Sequence, residues 1–324
     1  MKDAIKEICK KLKLSKNAPD SVGVCGDIIL DQLSYGDCLS GESQIYKVNK
    51  NIFYPGGAAN TALNVQKMAG RVNFYSVLGN EGKSDFVKTL LQQNNVETRY
   101  VVSDSDHRIC HKRRLHMNRS EILRIDDDYI WPCSAEASQK ILTAMQESAD
   151  HTRVLILSDY QKGCISEKLF FDIKQTCLEK DQMLLVDTKR MLDFNGIYLL
   201  KVNLHEFTQL YGRSVYNILE ISRCGKEFAQ ANQITNLIIT LGSKGGLLID
   251  KRRKIIKIDA IPCAAIDTCG AGDTLIAALS ICLANNIDLY MAVQFANTAA
   301  ALCCCHAGTA AVSLDEIELF LNQI

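Results

Sequence analysis

Residues 267–274, DTCGAGDT, pack Gly270 and Gly272 between two aspartates directly ahead of the apolar run LIAALSICLA. Glycine leaves the backbone free to turn N–H groups toward a bound anion, and a helix starting there adds the positive end of its dipole. The stretch therefore reads as an anion cradle of Gly270, Ala271 and Gly272. Asp273 stands at its lip, where a carboxylate is electrostatically costly unless it has work. Accepting a proton from a hydroxyl that attacks phosphorus is such work. An aspartate capping the first turn of a buried helix is the other reading of the same residues, and both stay open here.

Upstream, short β-rich runs recur: VGVCGDIIL (22–30), VNFYSVLG (72–79), VLILSD (154–159), MLLVD (183–187), LLKVN (199–203) and NLIITLG (236–242). Segments of helical period lie between most of them, such as NTALNVQKMAG, SEKLFFDIKQTCLEK and ILEISRCGKEFAQAN. This alternation predicts an α/β fold, a mainly parallel sheet sandwiched by helices. Asp31, Gly79, Asp159, Asp187, Asn203 and Gly242 stand at or just past strand ends, where open parallel sheets bind ligands. Each alone is also an ordinary turn residue.

Residues 32–53 and 101–126 break the pattern, being polar and strand-like without helical period. They predict a small β-sheet lid inserted into one domain spanning 1–324. The N-terminal MKDAIKEICKKLKLSK carries Ala4, Ile5, Ile8, Cys9 and Leu12 at helical spacing and predicts an amphipathic helix docked on that domain.

Lysine plus arginine and aspartate plus glutamate each number 37, so no net charge draws the chain to nucleic acid or an anionic membrane. The apolar stretches are too short or too interrupted to span a bilayer, so a soluble, cytoplasmic chain with small-molecule partners is expected. The 14 cysteines include no CxxC and read as reduced core residues. His107, Cys110, His111 and His116 are the one candidate metal cluster, with looser spacing than structural zinc sites show. GNEGKS (79–84) imitates a phosphate loop but has Val77 where the first glycine belongs, and Leu275 breaks a GxGxxG pattern after Gly270 and Gly272.

Four stretches occur in order after residue 20: GDIILD (26–31), PGGAANTALN (55–64), NLHE (203–206) and DTCGAGDT. They resemble, in turn, the opening strand with its sugar-contacting aspartate, the GG motif, the NxxE motif and the C-terminal motif of ribokinase-like (PfkB) carbohydrate kinases. SDYQKG (158–163), Ala62 and Asn64, Lys112 and Arg114 ahead of LRID (123–126), NLHEF (203–207), and FANTAAAL followed by Gly308-Thr309 are similar to heptose 7-phosphate kinases of lipopolysaccharide precursor synthesis. The resemblance is to their stand-alone form rather than to fusions with a nucleotidyltransferase. Two stretches depart from those relatives: DCLSGESQIY lacks their proline-rich lid stretch with its arginine, and DTKR (187–190) stands for their DPKG.

The resemblance implies roles. Asp273 deprotonates the acceptor hydroxyl while the amides of Gly270, Ala271 and Gly272 stabilise the transferred γ-phosphoryl group. Asp31, Gly56, Gly57 and Asn60 hold sugar hydroxyls, and Lys112, Arg114, Arg124 and Lys162 meet a substrate phosphate. For Arg113 and Arg119 a solvated strand face is the plainer reading; for Lys112 it is only the alternative to a phosphate contact. Lys189, Asn203, Glu206, Thr240, Gly242, Gly245 and Asn297 border ATP; Asn297 fits a helix cap or core amide equally well. Glu206 approaches Mg²⁺ through water. A monovalent cation is a further cofactor the resemblance allows, and a homodimer formed through the lid is the expected assembly. The implied reaction is phosphorylation of the anomeric hydroxyl of D-glycero-β-D-manno-heptose 7-phosphate. A kinase of another sugar, or a non-catalytic sugar or nucleotide sensor on the same fold, are the alternatives; retention of Asp273 beside GAG argues against the sensor.

Overall fold

The computed structural model describes residues 1–15, 21–39, 45–118 and 120–323. The run 22–30 is not one strand. It breaks at Asp27 into β1 (Ser21–Gly26) and β2 (Ile28–Leu39), which join different sheets. Strand β1 lies within a nine-stranded sheet, flanked by β4 (Asn73–Leu78) and β8 (Thr152–Asp159), both parallel to it. Beyond β4 lies the short edge strand β5 (Val101–Ser103). Beyond β8 the parallel order continues through β9 (Met183–Thr188), β10 (Leu199–Asn203) and β11 (Asn236–Thr240). An antiparallel hairpin of β12 (Gly246–Ile249) and β13 (Ile255–Ile258) closes that side.

Period-two alternation feeds two cores. In β8, Val154 and Ile156 face one layer while Leu155 and Leu157 face the other. The first layer holds α1 (Lys2–Leu14), α2 (Ala58–Ala69), α3 (Gly82–Gln93), α8 (Ala271–Ala284), α9 (Leu289–Cys303) and α10 (Leu314–Gln323). The second holds α4 (Ala135–Ser148), α5 (Glu167–Glu179), α6 (Leu204–Tyr211) and α7 (Ile218–Ala231). Helix α8 is buried all round from Asp273 to Ala284, which is why its sequence is apolar on every face. In α1, Ile5, Ile8, Cys9 and Leu12 are buried as the spacing predicts, while Ala4 stays exposed.

A second, four-stranded sheet has the order β3-β2-β6-β7, with β3 (Ile45–Gly57), β6 (Cys110–Met117) and β7 (Ser120–Asp127). Strand β2 runs antiparallel to β3 and parallel to β6, so the small sheet is mixed. Residues 101–103, expected in the small sheet, instead pair with β4 in the main one. Arg119 and residues 40–44 lie outside the described residues.

All 14 cysteines are free, and eight of them are buried. His107 and His111 bond to the Trp131 carbonyl and the Gln32 amide oxygen, and among the described residues no three His, Cys, Asp or Glu side chains are placed so as to hold a metal ion between them. No helix among the described residues is long and apolar enough to cross a membrane.

Candidate active site

Helix α8 begins where its sequence dictates. Gly270 is the N-cap with φ +79°, a left-handed conformation that glycine adopts without strain. Asp267, the first aspartate of the stretch, closes the preceding turn by accepting from the amides of Cys269 (2.9 Å) and Gly308 (3.0 Å). Asp273 is therefore not the cap. Its side chain bonds to none of the helix's own amides: Oδ2 accepts from Asn60 Nδ2 at 2.9 Å and Oδ1 accepts from the Tyr160 hydroxyl at 2.7 Å. It is 3% exposed, and burial pushes its pKa up to about 6 against the lowering effect of those two bonds. That places a carboxylate poised to take a proton near neutral pH.

Tyr160 arrives through a second buried carboxylate. Between β1 and β8 the chain order switches direction, the place where an open sheet opens a crevice. Asp27 fills it, accepting backbone N–H bonds from Tyr160 (2.8 Å), Lys162 (3.0 Å) and Cys164 (2.8 Å). One side chain thus folds the 160–164 loop back over α8. Burial, with the nearby Asp159 charge, raises the Asp27 pKa to about 6.

The small sheet lays its basic residues over this floor. Across the sheet Asp31 pairs with Lys112, Leu33 with Arg114, and Arg114 with Arg124. Asp31 is buried against the Cα of Gly56, where a Cβ would sit 2.2 Å from its Oδ2. Burial raises the Asp31 pKa, and Arg114, Lys112 and Arg124 oppose that rise. Arg114 is buried, with Nη1 lacking any hydrogen-bond partner and Nε 3.8 Å from Glu121. Arg124 is exposed and spent on Asp126, through Nε at 2.9 Å and Nη2 at 2.7 Å. Lys162 pairs with Asp128 at 2.7 Å. Burial and the neighbouring Lys189 lower the Lys112 pKa.

The remaining positions divide. Asn203 and Glu206 form a capping box on α6: Asn203 Oδ1 accepts from the Glu206 amide at 2.9 Å, and Glu206 Oε2 from the Asn203 amide at 2.8 Å. Burial and Asp187 raise the Glu206 pKa. Lys189 stands 4.5 Å above the Tyr160 ring, and its charge acts on both Lys112 and Glu206. Thr240 ends β11, and Gly242 and Gly245 bracket the turn into β12. Asn297, half-buried midway along α9, donates to the carbonyl of exposed Asp259 just past β13 at 2.9 Å, so it is neither a helix cap nor a core amide. Asn60, expected on the sugar, gives its amide to Asp273; Gly57 caps α2 with φ +62°.

A sequence model described as pfkB family carbohydrate kinase matches residues 20–317. The chain belongs to that family. It is 32% identical over 324 residues to the bifunctional protein HldE of Coxiella burnetii (strain Dugway 5J108-111), covering 97% of this chain and 66% of the relative. HldE of Aliarcobacter butzleri is 28% identical over 307 residues, covering 93% and 64%. The chain spans about two thirds of the length of these relatives. The structure of Arabidopsis thaliana ribokinase complexed with ribose and ATP superposes with TM-score 0.75 at 20% identity, over 93% of this chain and 98% of that one. Phosphofructokinase-2 from Escherichia coli in complex with potassium gives 0.80 at 18%, over 94% and 98%. The fold is the ribokinase-like one, and the protein is a sugar kinase.

Three residues of this PfkB site escape a reading by motif. Tyr160 lies inside SDYQKG, but nothing local announces its bond to Asp273. Asp27 is overshadowed by Asp31 four positions on. Lys201 carries a signal that could have found it: a lysine inside LLKVN, whose strand is buried on both faces. Its Nζ is 2.7 Å from Asp187 Oδ2.

Proposed function

We propose that this PfkB kinase transfers the γ-phosphoryl group of Mg-ATP to the anomeric hydroxyl of D-glycero-β-D-manno-heptose 7-phosphate, giving the 1,7-bisphosphate. The observation that carries the substrate reading is Arg114, a buried guanidinium with an unpartnered Nη1, beside Lys112 and above Asp31. Glu121, 3.8 Å from Nε, leaves the Nη1 end of this buried cation unmatched, and a substrate phosphate is the anion a phosphorylated sugar brings to it. Lys162 and Arg124 are already paired with Asp128 and Asp126 and contribute less.

In the reaction Asp273 takes the proton of the anomeric hydroxyl as that oxygen bonds to the γ-phosphorus. The bond to the β,γ-bridging oxygen breaks and ADP leaves with the electron pair. Tyr160 and Asn60 fix the carboxylate for that step, and the amides of Gly270, Ala271 and Gly272 stabilise charge on the phosphoryl oxygens. Asp31, Gly56 and Gly57 line the place of the sugar. Thr240, Gly242, Gly245 and Asn297 border the adenine side.

Mg²⁺ suits the oxygen donors present, because Glu206 commits Oε2 to the cap while Oε1 has no partner among the described residues. Glu206 and Asn203 would hold it through water. When bound, the ion neutralises phosphate charge.

The small sheet acts as the lid of a single kinase unit. Its edge strands expose Ile45, Val48, Ile122 and Leu123, which supports a homodimer through that sheet. A monomer mass that does not change with concentration refutes the dimer.

The test of the function is ADP release from Mg-ATP with heptose 7-phosphate, fructose 6-phosphate, ribose or no sugar, beside Asp273→Asn. Turnover confined to heptose 7-phosphate and lost in the variant is expected. Activity on another sugar keeps the mechanism and overturns the substrate; sugar binding with no ADP release overturns the kinase chemistry in favour of a sensor.

A further inference from the structure

Lys201 is a charge in a place that structure alone does not require. It sits on β10, 5% exposed, with its cross-strand neighbour Asp187 on β9. Asp187 Oδ2, 2.7 Å away, is its one hydrogen-bond partner among the described residues. An ammonium has three donors, so the pair leaves donor capacity unused. Burying such a pair gains little over apolar side chains of similar size, and the strand around it is apolar.

Its position gives the charge a purpose. A Cβ built on Gly272 would lie 2.7 Å from Lys201 Nζ, so the ammonium rests against the second residue of α8. The second glycine of GAG is thus explained by what it leaves room for. Asp187, in contact with Lys201, and Glu206 and Asp273 are three carboxylates whose charges all act on that lysine. A nucleotide triphosphate brought to a floor holding three carboxylates is repelled unless a cation stands among them.

We propose that Lys201 is a catalytic cation of the phosphoryl-transfer site: held by Asp187, its ammonium binds the oxygens of the γ-phosphoryl group in flight beside the Gly270–Gly272 amides. This rests on the kinase reading of the site and not on which sugar is the acceptor. It adds to the helix dipole a full charge that does not reorganise during the reaction, the arrangement that most favours a transition state whose charge spreads onto the equatorial oxygens.

The test uses no sugar. Binding of Mg-ADP is measured by calorimetry alone and with aluminium fluoride, a mimic of the phosphoryl group between donor and acceptor, for the wild type, Lys201→Met and the neutral pair Lys201→Met/Asp187→Asn. The pair removes the charge without leaving Asp187 buried and alone. Both variants are expected to bind Mg-ADP within about threefold of the wild type and to lose roughly 100-fold of the tightening that aluminium fluoride adds. Equal tightening in wild type and neutral pair, or none in either, overturns the proposal. Should neither variant fold, a crystal structure of the wild type with Mg-ADP and aluminium fluoride decides: Nζ at about 3 Å from a fluoride supports it, and Nζ on Asp187 alone overturns it. A wild type that turns over some sugar other than heptose 7-phosphate corrects the substrate and leaves this outcome standing.

Discussion

The Tyr160 hydroxyl donates to Asp273 Oδ1 over 2.7 Å, bridging 113 positions of sequence. With Asn60 on the other oxygen, the carboxylate has both ends fixed before any substrate arrives. Orientation of this kind lowers the barrier because the reacting groups need not be ordered during the step.

Tyr160→Phe removes one of those bonds and little volume. We expect kcat to fall about 10- to 100-fold with KM for either substrate nearly unchanged. Because the hydroxyl bond lowers the Asp273 pKa, its loss moves the acid limb of the rate profile to higher pH. A pH profile of kcat checks both; an unmoved limb shows that the tyrosine is only packing.

Asp273 links activity and stability in opposite senses. As a base it must be ionised, so kcat/KM rises with pH through about 6. Its folded pKa lies above its unfolded value of 3.8, so its contribution to stability is fully present below that value and is lost as pH rises through about 6. The shift corresponds to about 3 kcal/mol at neutral pH. Asp273→Asn should therefore be inactive, and its stability relative to the wild type should rise by up to about 3 kcal/mol between pH ~4 and pH 7.5, on top of a constant cost for the acceptor that the amide withdraws from Asn60 or Tyr160. Urea melts of both proteins at the two pH values read this directly.

Arg114→Met deletes the unpartnered buried guanidinium. For a phosphorylated sugar KM should rise roughly 10- to 100-fold, the worth of a hydrogen bond to a charged group. KM for ATP and for the unphosphorylated sugar should stay put. Equal losses on both sugars would mean that Arg114 supports the sheet rather than a phosphate.

Gly56→Ala sets a methyl where Asp31 Oδ2 now lies, 2.2 Å from the new Cβ. The carboxylate must move, so KM for the sugar should rise about tenfold while the melting temperature drops only a few degrees. Steady-state kinetics with each substrate varied in turn separates the two.

Asp27→Asn replaces an acceptor of three backbone N–H bonds with a group that has one acceptor oxygen. Stranding buried N–H groups costs about 1–3 kcal/mol each. Lower stability is expected, with faster amide exchange confined first to residues 160–164. Wild-type exchange there would place the loop's anchor elsewhere.

The parts of the site readable from sequence are those made by local chemistry. GAG announces itself because a glycine at φ +79° and a helix start are properties of adjacent residues. NLHE is legible for the same reason, and the capping box shows that its asparagine and glutamate serve the helix end whatever else they do. The alternating runs gave the main sheet, since period two reports burial on both faces. Where the reading slipped, a partner was distant: residues 101–103 look like any polar strand until β4 is beside them.

The sequence by itself determined the family, the mainly parallel sheet and a glycine-opened helix start with Asp273 in its first turn, all encoded in backbone freedom and side-chain period over a few residues. Only the tertiary structure decided what that carboxylate touches. Asn60 from α2 and Tyr160 from the loop that Asp27 holds meet Asp273 because β1 and β8 lie side by side at the switch in strand order. The packing of β10 against α8 likewise sets Lys201 against Gly272. Such contacts follow from which strands are neighbours, and strand order is settled by packing the whole core rather than by any stretch of chain.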